Sequence, residues 1–312
     1  MAGIEQRLRA GDVVILDGGT GTEIQHRGAP MDDIAWCGKA NKSHPEIVRG
    51  VHEDYIDAGA DVITANTFGT SRHILEHAGL ADEVAQLNRQ AVELARAACD
   101  AAERPVWVAG SISSMVAGFE LARKPDLAQA EASYREQADL LAEAGADLLI
   151  AEMMMDLEHA ACAVKAAVAT GLPVWVGFSC RMDGDTVRMF RDAHSDPDSD
   201  PEFDEVIEPI MAIGGSVAGV MHSEVETTPP ALEVLFRHWK GPAMAYAESG
   251  EEGVPIEWPM DKVMAPEDYA GEACRWVEAG VQIVGGCCGT GPEHIRALKE
   301  RLPRSVPARP SG

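Results

Sequence analysis

The sequence predicts a single-domain (β/α)8 TIM barrel, in which eight parallel strands alternate with eight helices. Three observations lead to this prediction. Short apolar runs alternate with longer segments of helical periodicity along the chain. Eight such strand–helix units fill about 300 of the 312 residues, which is an ordinary length for this fold. Several runs are apolar at consecutive positions, as expected where both faces of a parallel strand are covered.

The strands are placed where apolar residues stand together between the helical segments. An open, doubly wound sheet is the rival arrangement, because periodicity does not show whether a sheet closes. The barrel is expected to occupy residues 1–302, and residues 303–312 form a proline-rich tail. The predicted strands are Val13–Leu16, Asp61–Asn66, Val106–Ser111, Ala146–Glu152, Val174–Ser179, Ser216–His222, Ala243–Ala247 and Val281–Gly286.

The helices are predicted from apolar residues spaced three to four apart and from signals at the helix ends. Pro45 suits the first turn of a helix, and Gly59 can end that helix in the left-handed conformation. The tetrapeptide Ala-Gly-Ala-Asp at residues 58–61 and 144–147, with the similar Ala-Gly-Val at 279–281, indicates three similar helix-to-strand turns. The predicted helices are Pro45–Ala58, Glu83–Ala102, Asp126–Ala144, Leu157–Thr170, Glu205–Ile213, Pro230–Trp239, Pro266–Ala279 and Pro292–Leu302.

The chain is acidic, with 51 aspartates and glutamates, 26 lysines and arginines, and a formal net charge of −25. This balance argues against binding to nucleic acids or to anionic membranes, which both need clustered basic residues. The sequence contains no apolar run long enough to span a bilayer and no signal-peptide pattern. We therefore predict a cytoplasmic protein, whose seven unevenly spaced cysteines are reduced thiols.

Polar side chains stand at the carboxyl ends of the predicted strands, where barrel enzymes place their catalytic groups. Strands that are themselves apolar have little structural reason to end in this way. The pattern therefore predicts a functional site at this end of the barrel. Its members, after strands 1, 2, 4, 6 and 8, are Asp17, Asn66, Glu152, His222 and the pair Cys287 and Cys288.

His222, Cys287 and Cys288 together offer one nitrogen and two sulfur donors. Three protein ligands with a fourth position open are typical of catalytic zinc. Each residue alone has an ordinary interpretation, because a histidine can be a hydrogen-bonded core residue and two cysteines can be small buried side chains or a redox pair. Only a closed barrel would bring strand 6 near strand 8, so the zinc prediction depends on the fold prediction.

Other chemistries of α/β proteins fit this sequence less well. No lysine lies in a predicted strand, and no Walker loop or Gly-x-Gly-x-x-Gly motif follows one. The segment DGGTGT at residues 17–22 allows two interpretations. Its backbone N–H groups could receive an anion, or its glycines could serve a tight turn alone.

Three segments of the chain carry a resemblance to a known family. They are LDGGTGT at residues 16–22, AGADVITANTF at residues 58–68, and WVEAG at 276–280 with GGCCGT at 285–290 and PEHI at 292–295. On these segments the chain resembles the homocysteine S-methyltransferase family. That family includes betaine–homocysteine and S-methylmethionine–homocysteine methyltransferases and the homocysteine module of cobalamin-dependent methionine synthase.

The resemblance implies a barrel and a zinc site made of three cysteines, one after strand 6 and an adjacent pair after strand 8. Here the pair is Cys287 and Cys288, whereas the strand-6 position holds His222. Glu152 matches the glutamate that contacts the amino group of homocysteine. Two further departures are Met153, where the family has threonine, and Glu248, within a stretch that replaces a Tyr-Pro-Asn-like sequence.

These matches lead to the hypothesis of a zinc-dependent methyltransferase that moves a methyl group from a small cationic donor to the thiol of homocysteine, giving methionine. A relative with an altered donor or acceptor, such as a quaternary amine or sulfonium demethylase, is the first alternative, and a thiol-redox protein is the second. S-methylmethionine, S-adenosylmethionine, betaines and other sulfonium compounds are open as donors, as is the oligomeric state. The predicted acceptor-binding residues are Asp17, Gly18, Gly19, Thr20, Asn66 and Glu152, and the predicted donor-binding residues are Trp36, Phe68 and Glu248.

Overall fold

The computed structural model describes residues 3–190, 200–250 and 262–306 and contains the predicted barrel. Each predicted strand is present, within a few residues of its expected ends. The eight barrel strands are β1 (Val14–Ile15), β2 (Val62–Ala65), β3 (Trp107–Ser113), β4 (Leu148–Met154), β5 (Val174–Phe178), β6 (Val217–Glu224), β7 (Ala243–Glu248) and β8 (Ile283–Val284).

All ladders of this sheet are parallel, and the neighbours run β2-β3-β4-β5-β6-β7-β8-β1. One bridge between Leu16 and Val62 joins β1 to β2 and closes the ring. The hydrogen bonds from Asp61 N to Ile15 O (2.7 Å) and from Asp17 N to Val62 O (3.0 Å) support this seam. The rival open sheet is therefore excluded, and β6 and β8 lie on the two sides of β7.

One helix follows each strand and covers the outside of the barrel. Pro45 begins the first of these helices, and Gly59, at φ +119°, ends it as predicted. Within the described residues, four further short α-helices were not predicted; they are Ile4–Arg9, Thr20–His26, Ala40–Ser43 and Arg72–Leu75. The barrel helices are α1 (Pro45–Ala58), α2 (Val84–Ala101), α3 (Leu127–Glu143), α4 (Leu157–Val168), α5 (Phe203–Met211), α6 (Thr228–His238), α7 (Pro266–Glu278) and α8 (Pro292–Arg301).

The core has two layers, because successive strand residues point alternately inward and outward. On β7, Met244 and Tyr246 belong to the inner cluster, whereas Ala243 and Ala245 pack outward against the helices. The indole of Trp175 on β5 is fully buried in the inner layer. The barrel interior is therefore filled with side chains, and a ligand can be received only at its end.

A β-hairpin follows β5 and was not predicted. Its strands, Cys180–Asp183 and Thr186–Met189, pair antiparallel around Gly184, which has φ +59°. The sequence signal was the Gly-Asp dipeptide at 184–185, which forms the two-residue turn between Asp183 and Thr186. The hairpin carries Phe190 to the mouth of the barrel, where its ring lies 5.9 Å from that of His222.

The start of the predicted tail is part of the fold. Val13 N–H donates to Arg304 O (2.9 Å), and Val306 N–H donates to Gly11 O (3.0 Å). Residues 307–312 of the predicted tail lie outside the described residues. None of the helices within the described ranges combines the length and the apolar composition that crossing a bilayer requires.

Candidate metal centre

His222, Cys287 and Cys288 converge at the carboxyl end of the barrel. One donor atom from each residue lies within 4.8 Å of the other two, and the two sulfur atoms are 4.0 Å apart. Two thiolates at the usual Zn–S distance of about 2.3 Å, in tetrahedral geometry, would be about 3.8 Å apart. Both the donor types and their spacing therefore fit zinc with one position open for a further ligand.

A β-bulge aims His222 at this centre. Val217 and Met221 face the barrel interior, so regular alternation would turn the next side chain, His222, outward. The pairing with β7 shifts by one residue between Met221 and Glu224, and His222 has φ +43°. Ser223 holds the bulge, because its hydroxyl donates to Met221 O (2.8 Å) and accepts from Cys180 N–H (2.8 Å). The strained backbone thus brings the imidazole to the mouth of the barrel.

The two cysteines are held by the backbone that continues β7. Cys287 N–H donates to Ala247 O (2.9 Å), and Ser249 N–H donates to Cys288 O (2.8 Å). Thr290 closes the turn behind them, since its N–H and its hydroxyl both donate to Cys287 O, at 3.2 and 2.6 Å. The position of the thiol pair is therefore set by hydrogen bonds on both sides.

The glycines after β1 allow two backbones to touch. A Cβ atom on Gly18 would lie 2.4 Å from Thr290 O, and one on Gly19 would lie 2.5 Å from Cys287 O. Gly19 N–H is already engaged, because it donates to Thr290 O at 2.9 Å. Of the two interpretations of this segment, close packing behind the cysteine turn is the one with observed contacts, and Thr20 starts a helix there.

Gly19→Ala is expected to displace the turn that carries Cys287. Overpacking of this kind costs roughly 1–3 kcal/mol of unfolding free energy, and the metal affinity should fall with it. Urea unfolding and zinc titration measure the two effects. Gly271→Ala, in the middle of α7, is the matched control. A Cβ atom there would lie 3.8 Å or more from its neighbours, and alanine stabilises a helix by up to about 1 kcal/mol relative to glycine. A Gly19→Ala protein with unchanged stability and affinity would contradict this account of the loop.

The pKa values of the two thiols are shifted in opposite directions. Hydrogen bonds from the Cys288 thiol and from His222 hold the pKa of Cys287 well below its ordinary value. The pKa of Cys288 is raised well above its ordinary value by its hydrogen bond to Cys287, and burial acts in the same direction. Cys287 is therefore the thiol of the pair that loses its proton first, and a metal ion would take the place of the Cys288 proton.

Glu248 lies beside His222 at the end of β7. Its Oε2 atom is 3.3 Å from Nδ1 of His222, and both side chains are mostly buried. The sequence interpretation placed Glu248 among the donor-binding residues. In the described residues its carboxylate contacts the imidazole of the candidate metal ligand.

Glu152, near the carboxyl end of β4, is buried between two hydroxyl groups. Its carboxylate accepts hydrogen bonds from the Ser111 hydroxyl and from the Tyr246 hydroxyl (3.0 Å). Burial raises its pKa to about 7. A second bulge, with Met153 at φ +54°, follows Glu152 on β4. Ser111 and Tyr246 were not predicted as site residues, and only their inward positions on β3 and β7 could have indicated them.

Asp17 is the second buried carboxylate at this end of the barrel. It accepts hydrogen bonds from Thr64 N–H (2.7 Å) and from the Thr64 hydroxyl (2.8 Å), while the Thr20 hydroxyl is 3.5 Å away. Burial raises the pKa of Asp17 to about 7 despite these donors. The carboxylates of Asp17 and Glu152 therefore favour the binding of a positively charged group at the mouth of the barrel.

The raised pKa of Asp17 makes stability depend on pH in a defined direction. The folded protein holds the Asp17 proton up to about pH 7, whereas the unfolded chain loses it near 3.8, so this group destabilises the fold as pH rises between these values. Asp17→Asn removes the effect. Relative to the parent, the variant should gain roughly 2 kcal/mol between pH 5.5 and pH 8 in urea unfolding. The exposed Asp57→Asn is the control, and an equal difference at both pH values for Asp17→Asn would contradict the assignment.

The side chain of Asn66 forms hydrogen bonds with residues of the segment that follows β1. Its Nδ2 atom donates to Cys37 O (3.0 Å) and to Asn41 Oδ1 (2.9 Å), and its Oδ1 atom accepts from the Cys37 thiol (2.9 Å). These bonds fix the segment that follows Trp36. The described contacts of Asn66 therefore support a positioning role for this residue.

Trp36 and Phe68 form an aromatic pair in the loops after β1 and β2. Their ring centroids are 5.8 Å apart at an interplanar angle of 72°, and both pack against the inner cluster, as Cys287 also does. Trp36 has φ +49° and lies over Gly21, whose Cβ would be only 2.3 Å from the indole. The sequence predicted that both residues bind the methyl donor, and that role stays a prediction.

Comparison with known proteins identifies relatives over nearly the whole chain. A family model described as homocysteine S-methyltransferase matches residues 14–302. A selenocysteine methyltransferase from Astragalus bisulcatus is 28% identical over 94% of this chain and 94% of its own. Betaine–homocysteine S-methyltransferase 1 from Danio rerio is 30% identical over 96% of this chain and 75% of its own.

A solved structure agrees with these sequence relatives. The chain is similar to the metallated form of the homocysteine methyltransferase MmuM from Escherichia coli, with a TM-score of 0.76 and 26% identity. The match covers 95% of this chain and 99% of MmuM.

Proposed function

The chain belongs to the homocysteine S-methyltransferase family, and from this premise we propose that it is a zinc-dependent enzyme that methylates homocysteine from a small cationic donor. The observation that carries the proposal is the convergence of His222, Cys287 and Cys288 within 4.8 Å at the mouth of the barrel. The metallated structure of MmuM supports a metal in this fold. The two buried carboxylates beside the centre support an amino-acid acceptor.

The three ligands would hold the metal and leave one position for the acceptor sulfur. A bound zinc ion would lower the pKa of the acceptor thiol, so that it reacts as a thiolate near neutral pH. Cys287 contributes its negative charge, and the bulge at His222 presents the imidazole. The glycine loop behind Cys287 keeps these groups in place during the reaction.

Glu152 would bind the ammonium group of homocysteine. Its carboxylate is buried and pre-oriented by the hydroxyls of Ser111 and Tyr246, so binding an ammonium group would balance a charge that burial makes costly. Asp17, with Gly18, Gly19 and Thr20 of the same loop, would shape the other side of the acceptor site. Acceptor orientation would then be fixed at two points, the sulfur and the amino group.

The donor would meet the acceptor on the side of Trp36 and Phe68. A methyl group on sulfonium or quaternary nitrogen carries positive charge, which aromatic faces attract. As the acceptor sulfur forms its bond to the methyl carbon, the carbon–heteroatom bond breaks and its electron pair leaves with the donor. The departing donor is neutral, so the site needs no strong general acid.

An altered donor or acceptor is the second candidate function. Met153, whose φ is +54°, and Glu248, which contacts His222, differ from what the family resemblance implies at these positions. The similarity to a selenocysteine methyltransferase supports testing a selenol as the acceptor. A quaternary amine or sulfonium demethylase would use the same centre with another methyl acceptor.

A donor and acceptor screen tests the proposed function. Zinc-loaded protein is incubated with homocysteine or selenocysteine as acceptor and with S-methylmethionine, glycine betaine or S-adenosylmethionine as donor. The methylated acceptor, methionine or Se-methylselenocysteine, is measured by mass spectrometry. Methionine formed with at least one donor is expected. Turnover with selenocysteine but not homocysteine would favour the second candidate. Absence of methionine with all three donors would overturn the proposal of a homocysteine methyltransferase that uses these donors.

A further inference from the structure

We propose that Glu248 is a positioning residue of the metal centre, which holds His222 through Nδ1 and directs Nε2 toward the metal. The inference rests on the proposed function, because it assumes that His222 binds a metal. Glu248 would also give the centre a negative charge that the neutral imidazole does not supply. The proposal replaces the donor-binding role that the sequence suggested for Glu248.

The geometry of the pair carries the inference. Glu248 Oε2 lies 3.3 Å from His222 Nδ1, and the side chains are 7% and 15% exposed. A histidine that binds a metal through one nitrogen commonly donates the other N–H to a carboxylate, which fixes both its tautomer and its ring orientation. His222 also faces the thiol pair, because one of its nitrogen atoms lies within 4.8 Å of the sulfur atoms of Cys287 and Cys288.

The backbone explains how the pair forms. The bulge on β6 makes Glu224, rather than Ser223, the partner of Glu248 on β7, so the additional residue allows His222 to lean over Glu248. The residues on both sides of Glu248 hydrogen-bond the backbone of the cysteine pair. Glu248 is therefore held at the junction of the two strands that carry the metal ligands.

Charge gives a second argument. Two thiolates and a neutral imidazole balance the two positive charges of a zinc ion and leave the site neutral. A buried carboxylate against the imidazole adds one negative charge and makes the histidine a stronger ligand. A third thiolate in the place of His222 would supply the same charge directly, and Glu248 would then repel the site.

This difference defines a double-mutant cycle. Zinc affinity is measured by competition with a chromophoric chelator for the parent, Glu248→Gln, His222→Cys and the double variant. Glu248→Gln should weaken zinc binding about 10- to 100-fold in the parent. In the His222→Cys background the same change should leave affinity unchanged or raise it. Glu224→Gln, at an exposed position on the end of β6, is the control and should have no effect.

The outcomes separate this inference from the proposed function. A parent protein that binds no zinc contradicts the proposed function. A parent that binds zinc, with equal affinity in Glu248→Gln, contradicts the role of Glu248 alone. Equal weakening by Glu248→Gln in both backgrounds also contradicts it, because that result indicates a structural carboxylate that does not act through His222. Urea unfolding of the metal-free variants, in which Glu248→Gln should match the parent, verifies that each protein is folded.

Discussion

Cys288→Ala is expected to abolish zinc binding and to lower turnover by at least about 10³-fold. The change removes one of three protein ligands whose donor atoms lie within 4.8 Å of one another. Metal-ion catalysis contributes several kcal/mol to the transition state, and each 1.4 kcal/mol corresponds to about tenfold in rate. The measurements are zinc per chain by mass spectrometry and methionine formation under the conditions that support the parent.

Cys162→Ala is the matched control for this prediction. Cys162 is a half-buried thiol on α4, and it is not among the residues that converge at the candidate centre. Its replacement should leave both zinc content and turnover within about twofold of the parent, as is usual for a change away from the special features of a fold. Normal turnover in Cys288→Ala would contradict the proposed role of the thiol pair.

Glu152→Gln is expected to lower kcat/KM for homocysteine about 10- to 100-fold. A hydrogen bond to a charged group is worth roughly 1.5–3 kcal/mol, and glutamine keeps the size of the side chain while removing its charge. Of the hydroxyls of Ser111 and Tyr246, which donate to different oxygens of Glu152, one can still donate to the amide oxygen and the other can accept from the amide nitrogen. The loss should therefore come from recognition of the acceptor and not from collapse of the barrel.

An acceptor that lacks the amino group makes this prediction specific. With 4-sulfanylbutanoate in place of homocysteine, the parent and Glu152→Gln should have kcat/KM values within about threefold of each other. Glu158→Gln, an exposed glutamate on α4, is the control and should behave as the parent with both acceptors. Equal losses on both acceptors would show that Glu152 does not bind the ammonium group.

The sequence was sufficient to predict the barrel because its strands are apolar in a repeating order. Both layers of the core need apolar residues on every strand, so runs such as Val174–Phe178 are visible without a structure. The end signals of α1 were equally clear, since proline and glycine act through local backbone geometry. The single bridge between Leu16 and Val62, which closes the barrel, was not predictable, because one bridge produces no periodic pattern in the sequence.

The residues of the candidate site were predicted from the sequence, but their spatial arrangement was not. His222 and the cysteine pair were selected because polar groups stood at strand ends. The bulge that turns His222 inward depends on one extra residue and a positive φ angle, and no sequence pattern marked it. The same limit applies to Glu248, whose contact with His222 arises from that bulge.

Some site residues were missed because their roles come from tertiary contacts. Tyr246 is an inward residue of β7, and only the barrel brings its hydroxyl to Glu152. Phe190 reaches the mouth through a hairpin whose only sequence signal is the Gly-Asp turn at residues 184–185. In contrast, the glycines at 18 and 19 were recognised, although their observed contacts are with the cysteine turn.

The measurement that tests the central claim most directly is the zinc content of the intact protein. The protein is purified without chelator, kept under reducing conditions, and analysed for metal per chain by inductively coupled plasma mass spectrometry. The proposed His222, Cys287 and Cys288 centre predicts a value of about one zinc per chain, lost in Cys288→Ala. A value near zero that does not rise when zinc is supplied would contradict the metal centre and the methyl-transfer mechanism built on it.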